Sequence, residues 1–125
     1  MRTVLLVDDS PGVREVLRIL AEGQLEVVGE AADGAQAVEL AERLRPDAIV
    51  LDQEMPVMTG LQALPRLRQR SPRSLIVFYA AKAAPETAEQ GLAGGARAWI
   101  DKSQSPRSLV THLVRLLEET ERPTS

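Results

Sequence analysis

Three short apolar runs stop on charge: Val4-Leu5-Leu6-Val7 on Asp8-Asp9, Ala48-Ile49-Val50-Leu51 on Asp52, and Ala98-Trp99-Ile100 on Asp101-Lys102. Runs of strand length alternate with segments of helical period, the pattern of a parallel sheet covered by helices on both faces. If the runs are neighbouring parallel strands, their ends fall along one edge of one sheet and bring carboxylates and an ammonium group together. Carboxylates crowded this closely repel one another and are ordinarily held ionised by a divalent cation. Such a cluster beside a lysine suits phosphoryl chemistry.

The periodicity predicts strands near 3–8, 26–31, 47–52, 75–80 and 97–101, and helices near 11–22, 35–45, 60–70, 86–93 and 106–119. Val13, Val16, Leu17 and Leu20 form a core-facing stripe on the first helix, and Leu109, Leu113, Leu116 and Leu117 one on the last. Ser10-Pro11 supplies an N-cap and a first-turn proline, Asp33-Gly34 is a turn signal, and Pro46 ends the second helix. Pro65 is tolerable only in a first turn, so the third helix is expected to start near Leu61 or to bend. Gly91, Gly94 and Gly95 make the fourth helix the least stable. Residues 1–119 read as one domain and 120–125, with Pro123, as a polar tail or linker stub.

Composition removes several function classes. No cysteine is present, which excludes thiol chemistry and zinc–thiolate sites and favours a reducing compartment. No run approaches the roughly 20 apolar residues of a membrane span, and no secretion signal is visible, so the chain reads as cytoplasmic and membrane-free. A net charge of −3 with single Tyr, Trp and Phe residues argues against direct nucleic-acid binding. The basic cluster Arg66, Arg68, Arg70 and Arg73 reads as a solvated helix end and loop.

Several of these features in combination resemble the receiver domain of two-component response regulators. They are Asp8-Asp9 after the first strand, Asp52 followed by Met55-Pro56 and Gly60, Gly95-Ala96 before the fifth strand, and Lys102 at its end. The similarity runs from about Arg2 to Glu119. It implies a doubly wound α/β fold of five parallel strands in the order 2-1-3-4-5 with five helices on two faces. It also implies that Asp52 is the phosphoacceptor and that Lys102 pairs with a phosphoryl oxygen. Mg²⁺ would be held by Asp9 and Asp52, by Asp8 mainly through water, and by the main-chain carbonyl of Glu54, few protein donors being normal for this ion. The implied partners are a sensor histidine kinase or phosphotransfer protein. An output domain, partner protein or second copy of the chain would meet the face formed by helix 4, strand 5 and helix 5.

The chain also departs from the family pattern. Ala80 stands where a Thr or Ser hydroxyl usually bonds the phosphoryl group, and a one-residue slip would put Tyr79 there. A hydrogen bond to a charged group is worth roughly 1.5–3 kcal/mol, similar to typical allosteric couplings, so weakened output coupling is expected. Ser103 replaces a common proline, and the Lys102–Ser103 bond is expected to be trans, or cis under strain. Trp99 occupies the position of a switch aromatic, or simply packs. Glu54 and Lys82 flank the phosphoryl position with opposite charges and are candidates for a cross-site ion pair that tunes water attack.

The leading reading is a phosphate-controlled switch, not an enzyme beyond self-catalysed phosphotransfer and dephosphorylation. A pseudo-receiver that binds partners without phosphate control is the alternative, favoured by Ala80. A haloacid-dehalogenase-like phosphatase would need a second Asp where Glu54 stands. A flavin-binding relative would need a glycine-rich phosphate loop where Asp8-Asp9 would repel phosphate.

Overall fold

Strands and helices alternate strictly along the chain in the computed structural model, which describes residues 1–121. They run β1 (Thr3–Val7), α1 (Pro11–Ala21), β2 (Glu26–Ala31), α2 (Gly34–Leu44), β3 (Ala48–Leu51), α3 (Gly60–Arg70), β4 (Leu75–Ala80), α4 (Pro85–Ala93), β5 (Ala98–Asp101) and α5 (Pro106–Glu121). The strands form one parallel sheet in the order β2-β1-β3-β4-β5. Of the expected tail 120–125, Thr120 and Glu121 continue α5, and residues 122–125 lie outside the described residues.

Side chains alternate across the sheet, so each strand feeds two cores. Val4, Leu6, Val50, Val77, Tyr79 and Ile100 face the layer that holds Leu17, Leu109 and Leu113 of α1 and α5. Leu5, Val7, Ile49, Leu51, Ile76 and Phe78 face Ala37, Ala41, Leu64 and Leu67 of α2 and α3. The central strands β1 and β3 are buried on both faces, which is why they read as unbroken apolar runs.

Two local expectations are corrected. Val16 is not part of the core stripe but 43% exposed, because the apolar arc of α1 centres on Leu17 and Ala21 and leaves Val16 on its margin. Pro65 sits in the second turn of α3, not the first. It is solvent-facing, so the carbonyl it leaves without an amide partner can be hydrated, and the helix start is held independently by a Thr59–Gln62 capping box. Asp33 is the N-cap of α2, its side chain accepting the Gln36 amide. The helix α4 has no side-chain cap and buries only Gly91, which agrees with its expected weakness. The basic cluster is exposed, and Arg70 pairs with Glu42 at 2.8 Å.

Candidate functional site

The carboxyl ends of β1, β3 and β5 meet at one edge. Asp8 and Asp52 are each 4% exposed, whereas Asp9 is solvent-facing, and one carboxylate oxygen from each of the three lies within 4.8 Å of the others. Lys102 reaches in from the end of β5, its Nζ 2.8 Å from Asp8 Oδ2 and 3.4 Å from Asp52 Oδ2. The backbone fixes these positions: Asp8 N donates to Ala31 O, Asp52 N to Val7 O and Lys102 N to Ala80 O. Asp101 stays apart from the cluster and accepts the Ser103 amide in a local turn.

Electrostatics at this edge are unbalanced. Burial, with repulsion from Asp8, pushes Asp52 up to about 6 from 3.8, although Lys102 and the Gln53 amide pull the other way. For Lys102 burial acts to lower the pKa, but the bonds and charges of Asp8 and Asp52 outweigh it and the pKa rises. One ammonium therefore does not compensate three carboxylates. The donors are hard oxygens, closely grouped and partly open to solvent, which suits a Mg²⁺ ion that keeps several of its waters.

The turn between β3 and α3 is packed against the site. Gln53 closes it twice, its carbonyl accepting the Gly60 amide at 3.0 Å and its Oε1 the Leu61 amide at 2.7 Å. A Cβ on Gly60 would lie 2.3 Å from Asp52 O and 2.7 Å from Phe78 Cε1, so only glycine fits. Val57, 82% exposed, holds φ at 68°, which is unusual for a β-branched residue.

Other candidates fall at the margin. Ala80 is buried at the end of β4, next to the Lys102 amide that bonds its carbonyl, and offers no donor. Tyr79 does not replace it, because its ring enters the opposite core and its hydroxyl donates to Gln104 O at 2.8 Å. Glu54 and Lys82 are both exposed and form no ion pair with each other among the described residues, so the cross-site pair is not made. The Lys102–Ser103 bond is trans. Trp99 is turned inward and stacked on Phe78 at 4.3 Å with 16° between the planes.

Gly91 accommodates that indole, since a Cβ there would lie 2.7 Å from Trp99 Cε3. Gly91→Ala is therefore expected to expose the ring even though alanine favours helix by up to about 1 kcal/mol. Trp99 is the only tryptophan, so the check is a red shift of its emission, and an unshifted spectrum would count against the packing.

Sequence reasoning missed Arg14, Glu30 and Gln53. The only available signals were an arginine four residues after the Ser10 cap, a glutamate at the end of β2 and an amide side chain next to Asp52. Arg14 donates from Nε to Glu30 Oε1 at 3.0 Å and from Nη1 to the Asp8 carbonyl at 2.5 Å.

The family model for the response regulator receiver domain matches residues 4–114. The chain belongs to the response-regulator receiver family, a signalling module of two-component systems. It is 42% identical over 106 residues to protein-glutamate methylesterase/protein-glutamine glutaminase 3 of Hahella chejuensis, covering 82% of this chain and 30% of that protein. It is 38% identical over 115 residues to the nitrate/nitrite response regulator protein NarL of Escherichia coli, covering 89% of this chain and 52% of that one. The chain thus spans about half or less of these curated relatives. Among solved structures, the response regulator domain of Thermotoga maritima CheB superposes with a TM-score of 0.83 at 31% identity, covering 98% of this chain and 99% of that one. Among the described residues, no helix is long and apolar enough to cross a membrane.

Proposed function

We propose that this chain is a phosphate-controlled receiver whose phosphoacceptor is Asp52, fed by a histidine kinase or phosphotransfer protein. The observation that carries the reading is the convergence of Asp8, Asp9 and Asp52 with the Lys102 ammonium at one sheet edge. Mg²⁺ would be held by Asp8, Asp9, Asp52 and the Glu54 carbonyl, and when bound it neutralises charge on the phosphoryl oxygens. An Asp52 oxygen bonds to phosphorus as the bond from phosphorus to the donor imidazole nitrogen breaks, the electron pair leaving with the imidazole. Lys102 holds a phosphoryl oxygen by exchanging part of its contact with Asp8 and Asp52. Glu54 and Lys82, exposed and not paired with each other, act separately on water approach. Residues 1–119 carry this domain, and its output leaves through the α4–β5–α5 face, toward an output domain, a partner or a second copy.

Ala80 and the inward stacking of Trp99 favour a second reading in which partner binding escapes phosphate control. Amide spectra with and without beryllofluoride and Mg²⁺ separate the two. The switch with weakened coupling gives shifts around Asp52 and Lys102 that fade across residues 80–100. No shift at Asp52 supports the pseudo-receiver, and shifts across 80–100 as large as in a threonine-bearing relative refute the weakened coupling.

A further inference from the structure

Asp9 is the most exposed carboxylate of the cluster, and its side chain takes no hydrogen bond or ion pair from the described residues. Nothing at the side chain itself sets its direction, so its position depends on the peptide that carries it. That peptide joins the Asp8 carbonyl to the Asp9 amide and is planar, so fixing the carbonyl fixes both. Arg14 fixes it: Nη1 donates to the Asp8 carbonyl at 2.5 Å, and the arginine side chain is only 17% exposed. The guanidinium is anchored in turn, because Nε donates to Glu30 Oε1 at 3.0 Å, and the other Glu30 oxygen is held by Arg18 Nη1 at 2.6 Å.

We infer that Arg14, held by Glu30, is a positioning residue that clamps the Asp8–Asp9 peptide and so pre-sets Asp9 toward the metal position. A planar guanidinium can hold both acceptors in one geometry, which a flexible ammonium cannot. Partners that orient metal ligands in this way contribute strongly to metal affinity. The inference rests on the Mg²⁺ reading of the acidic edge.

The clamp and a plain charge effect have opposite signs. Removing a cation near an acidic cluster tightens cation binding by Coulomb's law, whereas releasing Asp9 weakens it. Arg18 is the internal control, since it shares Glu30 but does not touch the Asp8 carbonyl.

Calorimetric titration with magnesium chloride is expected to show Mg²⁺ affinity roughly 10-fold weaker in Arg14→Ala and changed far less in Arg18→Ala, whose contact with Glu30 is one step removed from the Asp8 carbonyl. Affinity that is unchanged or tighter in Arg14→Ala overturns the clamp. Amide exchange without metal gives a separate readout. The Ser10 amide, which donates to Asp8 Oδ1 at 2.9 Å, is expected to exchange faster in Arg14→Ala while the amides of β1 and β3 keep their rates. A uniform rise, or none, contradicts a local clamp. Should the alanine variant not fold, Arg14→Lys keeps the charge and is expected to show the same changes in smaller degree. A parent chain that binds no Mg²⁺ overturns the metal reading, and the exchange measurement still decides the clamp.

Discussion

Asp52→Asn is expected to stabilise the metal-free protein at pH 7, by on the order of 3 kcal/mol or roughly 10 °C in Tm. The carboxyl titrates at about 6 in the fold, against 3.8 for an unperturbed group, because burial and the Asp8 charge disfavour its ionised form. A raised acid pKa means that the folded state binds the proton more tightly than the unfolded state does. Stability therefore falls as pH rises from about 4 to 6, and the whole penalty remains above that window. Asparagine keeps the size of the side chain and removes the charge. Thermal unfolding of parent and variant across pH 4 to 8 should give curves that coincide near pH 4 and separate by pH 7. Adding Mg²⁺ should narrow the gap, since an ion bound only by the folded parent stabilises it. Equal stability at pH 7 without metal would remove the electrostatic strain from the site.

Gly60→Ala is expected to act in the opposite direction, destabilising the fold by about 2–3 kcal/mol or more. In an open helix the change to alanine favours folding by up to about 1 kcal/mol. Here the new methyl group meets the Asp52 carbonyl at 2.3 Å, the Phe78 ring at 2.7 Å and Gln53 Oε1 at 3.1 Å. The first is backbone and the second a fully buried ring, while Gln53 Oε1, the end of a side chain, is held by the Leu61 amide. Relief requires α3 to move away from β3, which opens the two hydrogen bonds that Gln53 makes to Gly60 and Leu61. Gly12→Ala in the first turn of α1 is the matched control, because its Cβ would meet only Ser10 Oγ at 3.8 Å. Chemical denaturation should show Gly12→Ala neutral or stabilised and Gly60→Ala weakened. Equal midpoints for the two would show that the slot at Gly60 is not tight.

The sheet and the acidic edge were legible because burial on both faces leaves no polar alternation in β1 and β3, so the first charge after each run marks the strand end. Asp8, Asp9, Asp52 and Lys102 needed only those ends to converge. What depended on the path of a long side chain was not legible. Lys102 sits closer to Asp8 than to Asp52, Glu54 and Lys82 point into solvent without meeting, and Arg14 reaches back to a carbonyl six positions earlier. Helix phase was equally hidden: Val16 shares the apolar spacing of α1 but sits on its rim. Pro65 misled because its cost depends on whether the freed carbonyl faces water, which spacing alone does not give.

The proposed switch depends on Asp52 being the group that takes up phosphate at a metal-dependent edge. Incubation with acetyl phosphate and Mg²⁺, followed by intact mass measurement, tests that most directly. The expected result is a mass gain of one phosphoryl group in the parent that is lost on chelating the metal and absent in Asp52→Asn. A parent that stays unmodified, or a variant that gains the same mass, would contradict it.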